Sequence, residues 1–465
     1  MGKQVKSEVQ IYKLTEGALL FCSPQGNILF GCPPEVLKHI LAAHLPMPDT
    51  VVVADKLHHF HSSQASLEFP FYHFLFVQRG LERNRRFYVV GTKKQCKGLE
   101  QLLRVTVVGP TAKEMTACGT DAKRAKEIYQ ETTHLSLKNQ KTGKQLEIKE
   151  MVSFLPMEDG EQCLLQPVQD NLPEVRLERT GGTSFRVLYG EEAHDIDFSV
   201  SREQVPVYKI KQKPMDKSAG RFTLTVLGRS NGFDPQDPAN GYLINMDGKL
   251  ILWDCPAYLH QHLRNLKVDP QEIDALILSH VHEDHIDTSE SLRDPPFDLY
   301  TTPEVYYSLL VKLAAVFGST LEQAKSYHKW HRLEVGKPMQ ICGGRFEFFH
   351  SVHAIPALGC RISKEVGGKQ GLLHISGDQL SKDSMATMLK DGGISKARYD
   401  YVENMLNGKE SLVIMDVGGG AIHGDYRDYL DYDGRIGYMH TGLIQDKLPK
   451  DKHLVASGEV LNVLG

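Results

Sequence analysis

The sequence predicts an α/β (α+β) protein made of two successive halves, and three observations carry that expectation. Apolar runs of strand length alternate with helical stretches along the chain, the pattern of a layered α/β architecture. A polar stretch, residues 211–220 (KQKPMDKSAG), interrupts the pattern and reads as a linker. A strand–turn–helix pattern then recurs on both sides of it, in residues 27–40 (NILFGCPPEVLKHI) and 249–263 (KLILWDCPAYLHQHL). The boundaries that follow are 1–212 for the first half, 213–221 for the linker and 222–465 for the second half.

Size and composition agree with this division. A chain of 465 residues exceeds one ordinary core. Hydrophobic residues at 41% and charged residues at 24% are in globular proportion. The net charge of -4 offers no global basic field for a nucleic acid, which leaves a local basic groove open. No run reaches the roughly 18 apolar residues of a membrane span, and the polar start, residues 1–7, has no charged-then-apolar signal pattern. The eight cysteines are scattered without a C-x-x-C pair, so reduced thiols and a cytoplasmic location are expected.

The likeness between the halves extends downstream of the first strand–turn–helix pattern. Residues 48–55 (PDTVVVAD) sit where residues 272–280 (EIDALILSH) sit, and 86–90 (RFYVV) resembles 298–302 (DLYTT), each followed by a helix. This is the pattern of a tandem duplication. Residues 111–210 carry no pattern that places them. In the first copy, Asp55, Leu57, His59 and Phe60 face the positions that matter most in the second, and leucine and phenylalanine cannot donate to a metal. His58, His59 and His61 remain as a cluster that reads more readily as surface histidines.

The second half concentrates its chemistry in residues 275–287 (ALILSHVHEDHID). Four apolar and small residues end a buried strand, and H-x-H-x-D-H follows at once. On an extended segment, residues i and i+2 point to one face, so His280 and His282 can hold one metal together. Asp284 and His285 lie where the chain turns and can reach a second. Four donors in six positions after an apolar strand point to a dinuclear centre, where a bridging hydroxide would be a strong nucleophile at neutral pH.

This run resembles the metallo-β-lactamase superfamily, and the resemblance covers about residues 222–463. It implies an αββα sandwich of two mixed sheets with helices outside, and a degenerate copy of the same fold in the first half. It also implies the remaining ligands. Residues 348–359 (FFHSVHAIPALG) resemble the third motif, with His353 preferred to His350 because it directly precedes the loop toward Pro356 and Gly359. Residues 373–378 (LHISGD) resemble the strand ending in a bridging aspartate, Asp378, with His374 a structural neighbour. Residues 435–442 (RIGYMHTG) bring the last histidine, His440. Carried over, one metal takes His280, His282, His353 and Asp378, and the other takes Asp284, His285, Asp378 and His440. These nitrogen and oxygen donors suit two divalent ions per chain, zinc first, with manganese or iron as alternatives.

Residues 412–425 (LVIMDVGGGAIHGD) place His423 on a glycine-rich loop. Phosphodiesterase-type members, ribonuclease Z and related cyclic-nucleotide phosphodiesterases, carry a comparable histidine. By that resemblance His423 protonates the leaving oxygen, with Asp416 or Asp425 to orient it. Long ribonuclease Z proteins resemble the arrangement of one inactive and one active lobe. The resemblance therefore implies a metal-dependent hydrolase, with Asp284 and His423 in catalytic roles, cutting a phosphodiester of a small nucleotide or of RNA. Its inactive lobe would form a dimer-like interface or shape the pocket, and a homodimer is the expected assembly if one forms. Alternatives on the same fold are hydrolysis of a carboxyl ester, thioester, lactone or lactam, a di-iron oxygen-binding or redox protein, and a nucleotide sensor without turnover. No long basic arm of the kind that grips transfer RNA is present. Asn231 lies on a glycine-containing loop that can line the mouth, Arg229 beside it can offer a phosphate contact or simply face solvent, and an expected helical insertion at 303–332 brings Tyr306, Tyr307, Tyr327, His328, Trp330 and His331 either over the pocket or into packing.

Overall fold

The computed structural model describes residues 9–139, 141–165, 171–216, 221–286, 290–293 and 295–465. The expectations for residues 1–7, for 217–220 of the linker and for Asp287 lie outside the described residues.

In the first half, Gln10–Thr15, Ala18–Ser23 and Gly26–Phe30 pair antiparallel. Thr50–Val52, Phe87–Gly91 and Val152–Pro156 then add in parallel. Alternation along these strands sorts their side chains between two cores. Leu29, Val51 and Val89 pack with Ile40 and Leu99 of helices Val36–Ala42 and Lys93–Leu103. Ile28, Phe30, Val52 and Val90 pack instead with Val175, Leu177, Phe185 and Val187. The latter belong to a four-stranded antiparallel sheet within the stretch that the sequence did not place; the same stretch also forms helices Ala112–Ala117 and Ala122–Leu135.

The second half repeats the first sheet's plan. Phe222–Gly228, Gly241–Met246 and Lys249–Trp253 pair antiparallel, and Ile273–Ile277, Asp298–Thr301 and Trp330–Arg332 follow in parallel. Val460–Asn462 closes the opposite edge. The irregular turn recurs too: helices Val36–Ala42 and Leu259–Leu266 each begin after a left-handed residue, Glu35 (φ 52°) and Tyr258 (φ 59°).

A second seven-stranded sheet runs from Met339–Ile341 to Lys452–Leu454, antiparallel as far as Lys369–Ile375 and parallel beyond. The two sheets face each other. Leu224, Ile244 and Leu276 from one share a buried cluster with Phe346, Leu373 and Ile414 from the other, and helices Leu259–Leu266 and Pro303–Phe317 add Leu263, Leu309 and Leu313. Helices Lys382–Lys390 and Lys396–Glu403 cover the far side of the second sheet through Met385, Met388 and Val402 against Phe349. Strands covered on both faces read as near-continuous apolar runs, as Phe222–Gly228 does with every residue buried. This is the αββα metallo-β-lactamase sandwich expected for the second half.

The halves pack closely. Helix Lys93–Leu103 lies against Pro303–Phe317, where a Cβ on Gly98 would stand 3.3 Å from Cα of Ala315. The buried Lys38 ammonium pairs with Glu35 at 2.6 Å and donates to the Asp237 carbonyl at 2.7 Å, and the Glu35 carboxylate accepts from the Ala239 N–H at 3.2 Å. The described part of the polar stretch is docked on the second half, with the Met215 N–H donating to the Leu266 carbonyl at 2.9 Å. In the insertion, Tyr306 is buried and stacks on Trp330, ring centroids 4.0 Å apart. Tyr307 donates to Glu114, and Tyr327 packs on Phe317, so these aromatics serve packing. Among the described residues no helix is long and apolar enough to cross a membrane, and none of the eight cysteines forms a disulfide.

Candidate metal centre

The parallel strand Ile273–Ile277 runs out beneath the loop that carries the donors. Its continuation puts His280, His282, Asp284 and His285 at the edge between the two sheets, all buried. His353 follows strand Gly344–Ser351, Asp378 follows Lys369–Ile375, and His440 follows Ile436–Met439. Four chain segments distant in sequence thus converge on one volume. His280, His282, His353 and Asp378 offer donor atoms within 4.8 Å of one another, and so do Asp284, His285 and His440. Asp378 joins the two groups, 3.2 Å from Nε2 of His285 and 3.5 Å from Nε2 of His440. His440 holds a left-handed backbone (φ 70°), a conformation that costs of order 1–3 kcal/mol in a non-glycine residue and persists only where its surroundings enforce it.

The hydrogen bonds decide which nitrogen of each ring faces inward. Nε2 of His282 donates to the Thr106 carbonyl at 3.0 Å, which leaves Nδ1 bare. Nδ1 of His353 donates to the Ile422 carbonyl at 3.0 Å, which leaves Nε2 bare. These two bare nitrogens lie 3.1 Å apart, as do Nδ1 of His282 and Nε2 of His280. Two lone pairs cannot hydrogen-bond each other, so a neutral trio in this arrangement calls for a cation at its centre. The spacing suits one: nitrogens at about 2.0–2.1 Å from a tetrahedral zinc stand roughly 3.3 Å apart. The residues therefore fit a bound divalent ion.

Electrostatics point the same way. Burial lowers the pKa values of His280 and His282 well below the ordinary imidazole range and that of His353 to about 4, so these rings stay neutral ligands. Burial opposes charge on His285 and His440 as well. Here the Asp378 carboxylate, with Asp254 beside His285 and Asp284 beside His440, outweighs it, lifting His285 well above the ordinary range and His440 to about 9. Burial would raise Asp378, but the imidazoles of His285, His440 and His280 hold it far below the usual carboxylate range. The second group thus gathers positive charge around two carboxylates, and an ion held there would take the place of those protons.

His423 stacks on His440, ring centroids 4.4 Å apart, and its side chain is 17% exposed, unlike the buried donors around it. Its Nδ1 lies 2.9 Å from Asp416, not near Asp425, which pairs with Arg427. Asp416 also accepts from the N–H groups of Gln379 and Gly418, so it is held rigidly. His350 instead pairs with Glu304 at 3.2 Å, and His374 stacks on Phe349, both apart from the cluster. Arg229 is engaged by Asp237 at 2.7 Å and is no free phosphate contact. Asn231 turns its own loop by accepting from the Phe233 N–H. His58 packs on Phe317 and His61 lies beside His260. Among the described residues, no donor group able to hold an ion forms in the first half.

Sequence reasoning missed the supports behind the donors. Asp254, fully buried, accepts from Nδ1 of His285 at 2.8 Å and from both the N–H and the hydroxyl of Ser279, at 2.7 and 2.8 Å. The signal was there: an aspartate directly after the apolar run 250–253 (LILW); in the structure it takes a left-handed backbone (φ 62°). The contact of Thr106 with His282 spans 176 positions, and no local pattern announces it.

Sandwich and donor cluster together define a metallo-β-lactamase-type domain in the second half. The family model for the anti-Pycsar protein Apyc1 matches residues 222–391. The chain is 27% identical over 205 residues to the cGMP-dependent 3',5'-cGMP phosphodiesterase A of Dictyostelium discoideum, covering 43% of this chain and 23% of that one. It is 26% identical over 249 residues to the cAMP/cGMP-dependent 3',5'-cAMP/cGMP phosphodiesterase B of the same organism, covering 52% and 22%. The match thus spans under a quarter of the length of these curated relatives. Among solved structures, the metallo-β-lactamase fold protein YhfI of Bacillus subtilis is 17% identical at a TM-score of 0.36, covering 52% of this chain and 98% of that one.

Proposed function

We propose that the chain is a dinuclear metal-dependent phosphodiesterase acting on a nucleotide phosphodiester, with 3',5'-cyclic nucleotides the first substrates to test and RNA the second. One observation carries the reading: a partly exposed histidine, His423, held by Asp416 at 2.9 Å and stacked against the donor cluster. Cutting a phosphodiester expels an alkoxide, and a fixed imidazole at the edge of the cluster suits protonating it. The names of the two Dictyostelium relatives support the substrate class.

In this reading His280, His282, His353 and Asp378 would hold one ion, and Asp284, His285, Asp378 and His440 the other, with zinc expected. Bound ions supply Lewis acidity and a water of lowered pKa at neutral pH. The chain's own residues do the rest. Asp254, the Ile422 carbonyl and the Thr106 carbonyl fix ring orientation and tautomer. The Asp416 contact keeps the proton of His423 on Nδ1 in the neutral ring and leaves Nε2 to carry the exchangeable one. The first half, which shares the second half's sheet plan without its donors, is a degenerate copy of the domain spanning 1–212. It takes the place that a partner subunit would hold in a dimer.

The test is hydrolysis of cAMP, cGMP and bis(p-nitrophenyl) phosphate by zinc- or manganese-loaded protein, followed by His423→Ala. Turnover of cAMP or cGMP that is lost in the variant, with turnover of bis(p-nitrophenyl) phosphate largely kept, supports the reading. Turnover of carboxyl esters alone, indifferent to His423, contradicts it.

A further inference from the structure

The donor loop is held from outside its own half. Glu68 is fully buried, and its backbone N–H donates to the Glu283 carboxylate at 2.9 Å. The backbone N–H of Glu283, between ligand candidates His282 and Asp284, donates back to the Glu68 carboxylate at 2.9 Å. One ammonium joins the Glu68 carboxylate to the donor loop: Lys312, also buried, donates to Glu68 at 3.0 Å and to the Val281 carbonyl at 2.9 Å. A second support reaches His282 itself. The Thr106 carbonyl accepts from Nε2 of His282 at 3.0 Å and from the Tyr72 hydroxyl at 3.2 Å. Thr106 lies in a π-helical turn, Arg104–Val108, that ends at Gly109 (φ 85°), where helix carbonyls lack intrahelical partners and are free to face another element. The Tyr72 ring also stands edge-on to that of His282, centroids 6.1 Å apart.

We propose that the first half, which brings no donor to the cluster, positions it: Glu68 and Tyr72 are positioning residues that set the backbone and tautomer of the loop carrying His282 and Asp284. The geometry explains why the second half retains a donor-less companion. His282 coordinates through Nδ1 only while its Nε2 proton has an acceptor, and that acceptor comes from the first half. The reciprocal Glu68–Glu283 pair clamps the peptide between two ligands, so that their spacing is fixed before an ion arrives. This inference rests on the reading that the cluster binds metal.

The test uses the full chain, stripped of metal, as wild type, Glu68→Ala, Glu68→Gln and Tyr72→Phe. Zinc affinity is read by competition with a chromophoric chelator, and ligand geometry from the visible spectrum of the cobalt(II) form. Partners behind ligands typically account for about 10–100-fold in metal affinity. Glu68→Ala is expected to lose that much and to shift the cobalt spectrum. Glu68→Gln, which keeps an acceptor for the Glu283 N–H, falls between it and wild type. Tyr72→Phe removes one neutral hydrogen bond and is expected to weaken zinc about 3–10-fold; it decides the matter alone if Glu68→Ala does not fold. A merely structural role would lower the thermal midpoint of the metal-free protein and leave affinity and spectrum as in wild type. Affinities within about twofold of wild type, with an unchanged cobalt spectrum, overturn the inference while leaving the metal reading intact. A wild type that binds neither zinc nor cobalt overturns that reading, and this one with it.

Discussion

Replacing Asp254 by asparagine keeps the side chain's size and removes one acceptor. The native carboxylate takes three donors: Ser279 N–H on one oxygen, and the Ser279 hydroxyl and Nδ1 of His285 on the other, all within 2.8 Å. If the amide oxygen keeps the Ser279 N–H, the NH2 group faces Nδ1 of His285. That nitrogen must then accept, its proton moves to Nε2, and Nε2 is the atom 3.2 Å from Asp378 that would bind the ion. If the amide flips, the Ser279 N–H meets an NH2 group instead. Either way one buried donor is opposed. The expected loss is about 10–100-fold in affinity for the ion held by His285, or roughly 1.4–2.8 kcal/mol at 1.4 kcal/mol per decade. Titration of metal-free protein with zinc, in competition with a chromophoric chelator, resolves the two binding events. The event assigned to the His285 site should move and the His280–His282–His353 site should hold. Two unchanged affinities would refute the claim that Asp254 fixes the tautomer of His285.

Further outcomes follow from the same geometry. His423→Ala should lower kcat by about 10²–10⁴-fold on a phosphodiester with an alkoxide leaving group and by far less on bis(p-nitrophenyl) phosphate, whose leaving group needs no proton; equal losses on both would contradict the acid role. Gly98→Val presses a branched side chain onto Ala315, 3.3 Å from the ideal Cβ, and should destabilise the packing between halves by about 1–3 kcal/mol in urea unfolding. His262 is buried and neutral, its pKa lowered by burial from 6.5 to about 3. Because the unfolded chain takes up that proton first, the contribution is intact above pH 6.5 and is lost as pH falls from there toward about 3. Unfolding free energies at pH 7 and 5.5 should therefore differ by about 1 kcal/mol less in His262→Asn than in wild type; an unchanged difference would show that another group governs the acid limb.

Much of the site was legible because its chemistry is local. His280, His282, Asp284 and His285 sit within six positions after an apolar strand, and the strand puts them at a sheet edge whatever surrounds it. His353, Asp378 and His440 needed the family resemblance, since only the folded sheets bring them within 4.8 Å of partners far off in sequence. The choice of Asp416 over Asp425 lay beyond the sequence: both flank the same glycine loop, and Arg427 occupies the second. The small sheet of the first half was illegible for a different reason. Gln162–Leu164 and Glu192–Asp197 expose most of their residues and carry weak apolar alternation, so their pairing is set by Phe185, Val187 and Ile196 against the larger sheet. No local pattern marks Glu68 or Lys312, whose buried pairing at 3.0 Å exists only once the two halves are packed together.

The central claim is that one cluster of seven side chains binds two divalent ions, and elemental analysis of the zinc-reconstituted protein tests it most directly. The account predicts two zinc ions per chain in wild type and a loss of at least one in both His282→Ala and Asp378→Ala, with the variants otherwise folded. Two ions retained in both variants, or none bound by wild type, would contradict it.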